Sequence, residues 1–373
     1  MQQNDIKFLE DIFKRYYFDH FDLIHTPDRI PEREFGFQKF SSGMIRHISL
    51  KDGKDLHLLL IKKIPSDVYC SCACYSFPSL SMREKDLKDA DLIFDIDAKD
   101  LNLDCRKSHT VSVCHDCSGV SAGNCCTACN STRLESMSLP CRDCIAASKI
   151  QVRNLAAILT QDLGVDPKDI HVYFSGNEGF HVHVYNSQFQ DVGSRERSEL
   201  VDYLTLTGSI PETFGMKKNK TKRNMLPDFN DRGWKGRFAR EVYGSKSRQS
   251  KTISGLLEGG YSSFQHTMTD VAGKIGIRVD PGVTMDIHRI FRLPGSLNSK
   301  SGLAKVLCRD LDSFNPYVEA SFLSEQTIEV DASCPIMFRL NNRKFGPYQD
   351  DTVTVPAYAA AYMICKKLAK IHK

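Results

Sequence analysis

Hydrophobic residues along the chain follow two spacings, one typical of helices and one typical of strands. At helical spacing, residues 5–17 place five apolar side chains on one face: Ile6, Leu9, Ile12, Phe13 and Tyr16. This recurrence predicts an amphipathic helix. A second helix is predicted over residues 150–163, since Gly164 follows it where glycine commonly ends a helix. The Ala-rich segment 357–371 predicts a C-terminal helix.

Shorter apolar runs separated by turn-forming residues predict strands elsewhere. Residues 33–64 are expected to form short strands, and a further strand is expected near residues 305–309. The run LIFDID at residues 92–97 predicts a strand that ends in two acids. Residues 171–174 and 180–185 predict two strands joined by the turn SGNEG. Strands interspersed with helices favour an α+β or α/β fold.

One region, residues 205–263, interrupts this pattern, since it contains no convincing strand and many turn-forming residues. Within it, residues 217–248 hold eleven Lys or Arg against three Asp or Glu. The segments KKNKTKR and WKGRFAR interleave basic residues with Trp234 and Phe238. Basic and aromatic side chains together suit single-stranded nucleic acid, by phosphate neutralisation and base stacking. A solvated surface loop is the alternative.

Composition narrows the class of protein. The 373 residues are 41% hydrophobic and 26% charged, which is ordinary for a globular protein and excludes a disordered chain. The net charge is only +4, so a nucleic-acid surface must be a local concentration of basic residues. No run approaches the roughly 18 apolar residues of a membrane span. Asp5, Glu10 and Asp11 argue against a signal peptide, so we expect a cytoplasmic protein without a membrane partner.

Cysteine is unevenly distributed, with eight of the fourteen residues inside the segment 105–144. Disulfides are rare inside cells, so this clustering indicates metal binding. Three CxxC pairs are typical of Zn²⁺ sites, because tetrahedral Zn²⁺ favours thiolate and imidazole ligands. The candidate ligands are Cys105, His109, Cys114, Cys117, Cys125 or Cys126, Cys129, Cys141 and Cys144. Eight ligands suggest two ions, and one possible grouping is sequential, with the first four ligands on one ion and the last four on the other.

Two acids stand two residues apart at the end of a predicted strand. On a strand, Asp95 and Asp97 point to the same face, where neighbouring carboxylates repel each other. A divalent cation such as Mg²⁺ is the usual compensation, and two such ions about 4 Å apart support phosphoryl-transfer chemistry. Asp280 and Asp286 are candidates for a third acid. The alternative is that the two aspartates merely lead the strand into a loop.

The turn SGNEG and the strand after it form the most specific local motif outside the cysteines. Gly176 and Gly179 allow close approach of the backbone to a ligand, and backbone N–H groups in such a turn can bind an anion. His181 and His183 alternate with apolar residues, so both imidazoles are expected on one face of the sheet. There they could contact phosphate, orient a carboxylate or bind metal. The alternative is a glycine-rich hairpin with a polar face.

The segment 279–302 places acids, then arginines, then a loop rich in Gly, Ser and Lys. Arginine matches phosphate oxygens with two hydrogen bonds, and lysine adds a point charge. Acids for metal and bases for triphosphate together make a coherent nucleotide site. Asp280 precedes Pro281, which favours an extended backbone at Asp280. Taken alone, this stretch is equally compatible with a solvated loop.

These motifs together resemble the archaeal small, catalytic subunits of the archaeo-eukaryotic DNA primase family. The resemblance covers nearly the whole chain and rests on motifs in order: REFGF (33–37), MIRH (44–47), FDID (94–97), the cysteine-rich segment, SGNEGFHVHV (175–184) and the segment 279–303. It implies an α+β primase fold, in which mixed sheets flanked by helices carry the active site. A zinc-binding insert and a variable basic insertion, expected to be helical, accompany this core.

The resemblance also implies roles for particular residues. Asp95, Asp97 and Asp280 match the aspartates that bind the catalytic Mg²⁺ or Mn²⁺. The residues implied for nucleotide binding are Glu34, Arg46, Ser175, Gly176, His181, Arg289, Arg292, Asn298 and Lys300. The implied activity is nucleotidyl transfer with release of pyrophosphate. A DNA-directed nucleotidyltransferase of this kind makes short primers de novo from NTPs, or from dNTPs, on a single-stranded DNA template.

Two departures from the family pattern remove positive charge near the expected triphosphate. The family commonly has His at the position of Asn298, and its eukaryotic members have basic residues at the positions of Asn177 and Glu178. Asparagine can donate a hydrogen bond to phosphate but carries no charge. We therefore expect lower nucleotide affinity rather than lost chemistry, with Lys300 or the basic residues 217–248 compensating.

The resemblance also suggests a second way of grouping the zinc ligands. The family has one structural zinc, whose second CxxC pair leads directly into a helix. By this resemblance, the first site consists of Cys105, His109, Cys141 and Cys144. A second site, one more than the family norm, then consists of Cys114, Cys117, Cys126 and Cys129.

The expected organisation is a catalytic core in three parts with two insertions. In chain order these are residues 1–104 (core), 105–144 (zinc insert), 145–204 (core), 205–263 (basic insertion) and 264–373 (core and C-terminal helix). Implied partners are a large primase subunit in a heterodimer, the DNA template and the replication machinery, which would associate the protein with the nucleoid. The alternative functions are a stand-alone repair primase–polymerase of the same superfamily and a non-catalytic, zinc-bearing nucleic-acid-binding module.

Overall fold

The computed structural model describes residues 1–121 and 124–372, which form helices mixed with antiparallel sheets. The helices are α1 (Gln3–Asp19), α2 (Gly53–Lys63), α3 (Arg106–His109), α4 (Arg142–Gln161), α5 (Ser194–Thr205), α6 (Gly233–Tyr243), α7 (Lys246–Ile275), α8 (Pro281–Met285), α9 (Pro316–Glu319) and α10 (Ala357–Cys365). The strands are β1 (Arg33–Lys39), β2 (Ser42–Ile48), β3 (Asp67–Tyr75), β4 (Leu87–Ala90), β5 (Leu92–Asp97), β6 (Thr110–Cys114), β7 (Val120–Ser121), β8 (Leu134–Ser138), β9 (Ile170–Phe174), β10 (Gly179–Val184), β11 (Ile290–Arg292), β12 (Val306–Leu307), β13 (Thr327–Cys334), β14 (Phe338–Leu340), β15 (Arg343–Phe345), β16 (Tyr348–Pro356) and β17 (Ala369–Ile371). This mixture confirms the predicted α+β class.

Two sheets meet at the centre of the molecule. The first has the strand order β11-β3-β1-β2, with β4 also paired to β3, and the second has the order β12-β9-β10-β5. The ring of Phe291 on β11 lies 6.2 Å from the ring of His181 on β10, so the two sheets face each other there. Three smaller sheets, β7-β6-β8, β16-β13-β17 and β14-β15, lie in the cysteine-rich segment and towards the C-terminus.

The second sheet separates an apolar face from a polar one by strict alternation. Phe94 and Ile96 on β5, with Phe180 and Val182 on β10, are fully buried, and α4 packs against both strands. The residues between them point the opposite way, as alternation in a strand requires. This second face carries the paired aspartates and the two histidines, and it is the face directed at the first sheet.

Several predicted elements are confirmed, and two differ from the prediction. The helices α1 and α4, the strand β5 and the β9–β10 hairpin all form where the sequence pattern placed them. Residues 53–63, however, form the helix α2 instead of a strand. Asp52 starts this helix by accepting hydrogen bonds from the backbone N–H groups of Lys54 and Asp55, while Leu56 and Leu60 bury one face.

The C-terminal segment also differs from the prediction. The helix α10 ends at Cys365 instead of continuing to residue 371. Lys367 has a positive φ of 60°, which turns the chain back, and β17 then pairs with β13. The pairing partner lies about 40 residues earlier in the chain, so this strand cannot be predicted from the local propensity of the Ala-rich segment.

The basic insertion is helical, as expected, within the described residues 205–263, which contain no strand. Trp234 and Phe238, the two aromatic residues predicted to stack on bases, are not available for stacking, and that prediction is wrong. Trp234 is buried and donates a hydrogen bond from Nε1 to the Tyr203 carbonyl at 2.8 Å, while the Phe238 ring packs 5.4 Å from that of Phe264. The aromatics of this insertion form its core, because a bundle of short helices needs apolar residues to pack.

Candidate active site

Three aspartates converge at the end of β5. Asp95 and Asp97 project from the polar face of this strand, as their spacing predicts. Asp280 comes from the segment before α8, and its backbone N–H donates to the Asp95 carbonyl at 3.0 Å. Its backbone is extended, with φ −74° and ψ 110°, as a residue before proline should be. Asp286, the other candidate for a third acid, caps the following turn by accepting a hydrogen bond from the His288 N–H.

Asp95 is the carboxylate most in need of a positive partner. Burial, and after it the charges of Asp97 and Asp280, raises the pKa of Asp95 to about 7. One oxygen, Oδ1, accepts no hydrogen bond from the described residues, and His181 Nε2 lies 3.5 Å away. Among the described residues, the three carboxylates do not all lie within 4.8 Å of one another. Hard oxygen ligands with an unsatisfied buried atom are the donor set that Mg²⁺ or Mn²⁺ requires.

The turn between β9 and β10 lies directly against these acids. The Ser175 N–H donates to the Gly179 carbonyl at 2.9 Å, and the Gly179 N–H returns a bond to Ser175 Oγ at 3.3 Å. Gly176 has a φ of +85°, which favours glycine. A Cβ on Gly179 would lie 2.5 Å from the Ile96 carbonyl and even closer to the Asp97 carboxylate. Glycine is therefore required here for the turn to approach the acids.

The two histidines of β10 lie on one face, as predicted, and are held neutral. Burial, and after it the neighbouring ammonium of Lys305, lowers the pKa of both His181 and His183 well below the usual value. His183 Nδ1 pairs with the Tyr185 hydroxyl at 2.9 Å. His181 Nδ1, in contrast, has no hydrogen-bond partner among the described residues. Since Nδ1 is itself buried, the nitrogen that His181 directs at the acids is Nε2, 3.5 Å from Asp95.

Lys305 is a residue of this site that the sequence analysis missed. Its side chain is fully buried, and Nζ lies 2.9 Å from His183 Nε2 and donates to the Arg292 carbonyl at 3.0 Å. Burial, and after it Arg292, lowers the pKa of Lys305 well below its usual value. The only signal in the sequence is a lysine flanked by apolar residues in LAKVL, which also describes an ordinary edge strand.

The loop 298–303 clasps the turn from the other side. Asn298 is buried, donates from Nδ2 to the Ser175 carbonyl at 3.3 Å and accepts from the Lys300 N–H at 3.0 Å. The Ser301 hydroxyl donates to the Gly176 carbonyl. Asn298 thus holds the loop on the turn, while the Lys300 side chain is exposed beside it.

The two arginines predicted to contact triphosphate differ in availability. Arg289 is exposed. The Arg292 guanidinium is paired with Asp67 at 2.5 Å and donates to the Leu297 carbonyl at 2.9 Å. Arg292 therefore anchors the strand β11 to β3 and to the loop, which leaves Arg289 and Lys300 as the cations of this segment that are exposed to a ligand.

Glu34 and Arg46 form a partly buried ion pair in the first sheet. Glu34 is fully buried and pairs with Arg46 Nε at 2.9 Å and with the Lys85 ammonium. Burial would raise the pKa of Glu34, but Arg46 and Lys85 hold it below its usual value. Arg46 also donates to the His288 carbonyl at 3.3 Å, next to Arg289. Glu34 thus orients Arg46 and is not itself exposed to a ligand.

The cysteine-rich segment forms two candidate zinc sites. The first group consists of Cys105, His109, Cys141 and Cys144, and the second of Cys114, Cys117, Cys126 and Cys129, with all ligand atoms of each group within 4.8 Å of one another. Sulfur–sulfur distances of 3.6 Å (Cys105–Cys144) and 3.4 Å (Cys117–Cys126) fit a tetrahedral Zn²⁺ with bonds of about 2.3 Å. The sequential grouping of ligands is therefore wrong, and Cys125 lies outside both groups.

No described helix combines the length and the apolar character that crossing a membrane would need.

Comparison with known proteins points to one family. The family described as DNA primase small subunit matches residues 132–308. A protein of Nitrosopumilus maritimus (strain SCM1) named DNA primase small subunit PriS is 64% identical over the full length of both chains. Proteins of the same name from Cenarchaeum symbiosum (strain A) and Pyrobaculum aerophilum are 49% and 30% identical, and the matches cover 99% and 97% of this chain and 99% of each relative.

Proposed function

The chain belongs to the family of archaeal DNA primase small subunits, and on this premise we propose that it is a catalytic subunit that makes primers de novo on single-stranded DNA. The proposed reaction is nucleotidyl transfer, in which the 3′-hydroxyl of one nucleotide attacks the α-phosphate of the next triphosphate. A P–O bond forms, the bond to the β-phosphate breaks, and pyrophosphate leaves.

The three aspartates are the proposed metal ligands. Asp95, Asp97 and Asp280 would hold divalent cations, which lower the pKa of the attacking hydroxyl and neutralise charge on the leaving group when bound. Asp95 lies on a strand, which fixes the direction of its side chain before substrate arrives. Its Oδ1 accepts no hydrogen bond from the described residues. This convergence of three acids beside a glycine turn is the observation that carries the proposal.

The remaining residues of the site are proposed to bind the triphosphate. The turn Ser175–Gly179 offers backbone N–H groups beside the acids, and neutral His181 lies next to Asp95. Arg289 and Lys300 supply exposed positive charge. Arg46, held by Glu34, lies next to Arg289 and adds a third cation.

The zinc sites are proposed to be structural. Both groups contain four protein ligands, which fill a tetrahedral Zn²⁺ and leave no position for substrate. The proposed partners are a large primase subunit in a heterodimer, the template strand on the basic insertion, and other components of the replication machinery.

The test is synthesis on a primer-free single-stranded template with Mn²⁺ or Mg²⁺ and labelled nucleoside triphosphates. The wild type is compared with Asp95→Ala/Asp97→Ala and with a control, Glu10→Ala/Asp11→Ala, which removes two carboxylates from the surface of α1. We expect short products from the wild type and the control only. Products from Asp95→Ala/Asp97→Ala would contradict the assignment of the metal site.

The same assay separates the alternative functions. A chain that binds template but makes no product, with or without a large subunit, would be a non-catalytic binding module. A chain that extends primers efficiently without a large subunit would instead fit a stand-alone primase–polymerase. The intact set of Asp95, Asp97 and Asp280 favours a catalytic protein.

A further inference from the structure

Arg106 joins the zinc-binding insert to the turn of the active site. Arg106 follows Cys105 directly and begins the four-residue helix α3. Its guanidinium pairs with the Glu178 carboxylate at 2.9 Å and donates a second bond to Ser138 Oγ on β8 at 2.8 Å. The side chains of Arg106 and Glu178 are only 21% and 16% exposed, so solvent screens this pair less than it screens a surface pair.

Glu178 connects this contact to the catalytic acids. It is the fourth residue of the turn SGNEG, and its carbonyl accepts a hydrogen bond from the Ala98 N–H at 3.4 Å, directly after Asp97. The next residue, Gly179, lies against the Asp97 carboxylate. A displacement of Glu178 is therefore transmitted to Asp97 and to the phosphate-binding turn within one residue.

The position of Arg106 depends on the first group of metal ligands. The helix α3 has only four residues and lies between Cys105 and His109, two members of that group. A helix this short has no stability of its own. The other two members, Cys141 and Cys144, lie at the start of α4, which packs against β5 and β10. Ligands shared between α3 and α4 thus fix Arg106 relative to the sheet of the active site.

We propose that Arg106 is a positioning residue for the nucleotide turn, and that it acts through Glu178. This inference rests on the proposed function and deepens it, because it assigns a task to the zinc-binding insert. The pair holds the turn against Asp97 and at the same time neutralises the Glu178 carboxylate beside the proposed triphosphate site. The negative charge expected at this position is thus compensated by the insert.

The two variants of the pair should have unequal effects. In Arg106→Gln, the turn loses its support and the Glu178 carboxylate is left half-buried without its partner, next to the triphosphate. We expect the affinity for nucleotide to fall about tenfold, since one partner of a buried charge pair has been removed. In Glu178→Gln, the turn loses the same support, but the carboxylate charge is removed while Arg106 keeps its own charge, so we expect a smaller loss of about threefold.

The experiment is a double-mutant cycle on the full chain, with its zinc content measured for every variant. Binding of ATP in the presence of Mn²⁺ is followed by calorimetry, and KM and kcat for primer synthesis are measured in parallel. We expect Arg106→Gln/Glu178→Gln to bind ATP like Glu178→Gln alone, about threefold weaker than wild type, because Arg106 acts only through Glu178. The weaker binding of nucleotide should appear as a higher KM, and kcat at saturating nucleotide should be nearly unchanged.

Arg133→Gln is the matched control. Arg133 lies in the same insert and pairs with Asp116 at 2.8 Å, but both residues belong to the loop of the second ligand group. This variant should bind ATP like the wild type. Losses that multiply in the double variant, or unchanged binding by Arg106→Gln, would overturn the inference. Wild type and Arg133→Gln that both fail to bind ATP would instead contradict the proposed function.

If Arg106→Gln loses zinc and does not fold, Glu178→Gln still tests the proposal, since it leaves the ligand group and its neighbours intact. Glu178→Gln that binds ATP with the affinity of the wild type would overturn the positioning role. A fall in melting temperature without a change in KM would show that the pair serves stability alone, and would overturn it as well.

Discussion

Lys366 shows how much unfavourable charge the protein buries beside its active-site turn. Its side chain is buried, lies over the ring of Tyr362, and donates to Asn177 Oδ1 at 2.8 Å. Burial lowers the pKa of Lys366 from 10.5 to about 8. Between these two values the unfolded chain holds a proton that the folded chain has lost, so stability rises with pH across this range.

Replacing Lys366 by methionine should therefore stabilise the protein at pH 7, where the cost of the buried ammonium is fully present. The pKa shift corresponds to about 3 kcal/mol, and loss of the hydrogen bond to Asn177 returns about 1 kcal/mol, so we expect a gain of about 2 kcal/mol. The gain should disappear as the pH approaches 10.5. Urea unfolding at pH 7 and pH 10 measures both values.

The neighbouring Lys367 provides the control for this prediction. Lys367 is 43% exposed and pairs with Glu135 on the surface. Lys367→Met should change the free energy of unfolding by less than about 1 kcal/mol, as for other surface ion pairs. This difference from the wild type should be the same at pH 8 and at pH 10. A Lys366→Met variant that is less stable than the wild type at pH 7 would show that the ammonium is favourably bound.

At this scale, sequence reasoning identified those candidate residues that belong to recognisable motifs. Asp95 and Asp97 lie on one face of β5, as the strand period predicts, and the Asp280 N–H donates to the Asp95 carbonyl. Lys305 and Arg106 were missed, because each derives its importance from a partner more than 70 residues away in the chain. Period and spacing describe near neighbours in sequence, and they cannot report such a contact.

Among the elements of the candidate site, the turn between β9 and β10 requires glycine at residue 179. A methyl group on Gly179 would collide with the Ile96 carbonyl and with Asp97, and both are held by the pairing of β5 with β10. Gly179→Ala should destabilise the protein by about 1–3 kcal/mol, as overpacked substitutions do. Because the turn and the acid would both shift, primer synthesis should fall by about 100-fold.

The control is a glycine on an open helix surface, where an added methyl group should stabilise the protein. Gly255 lies in α7, is exposed, and has no heavy atom within 4 Å of an added Cβ. Gly255→Ala should raise stability by about 0.5–1 kcal/mol and leave synthesis unchanged. Chemical denaturation and the primer-free assay measure both variants. Full activity of Gly179→Ala would show that the turn has room to adjust.

Elements were predicted correctly where local pattern and tertiary contacts agree. The strand β5 has apolar residues on its buried face and acids on the other face, so a strand accounts for every position of this segment. Residues 53–63 contain a run of leucines that suits a strand as well as a helix. The capping contact of Asp52 decides for the helix, but an aspartate alone in a sequence is weak evidence that a helix begins there. The strand β17 could not be predicted, because it depends on a pairing with β13.

For the whole molecule, the distribution of charge matters more than its sum. A net charge of +4 on 373 residues gives little long-range attraction for DNA. The basic insertion concentrates cations on exposed positions, among them Lys217, Lys220 and Lys222. Since Trp234 and Phe238 are buried, these two rings contribute no base stacking. Contact of this surface with template is therefore expected to be electrostatic, which makes it sensitive to salt.

Replacing Lys217, Lys220 and Lys222 by glutamine should then weaken binding of single-stranded DNA and reduce its dependence on salt. Each lost phosphate contact lowers the slope of log K against log salt by about 0.7, so three contacts lower it by about 2. Fluorescence anisotropy over a salt series measures the slope. The control removes three exposed lysines from α2, namely Lys54, Lys62 and Lys63, and should leave it unchanged. Both triple variants remove three positive charges. Equal slopes for the two variants would therefore show that the template binds to another surface.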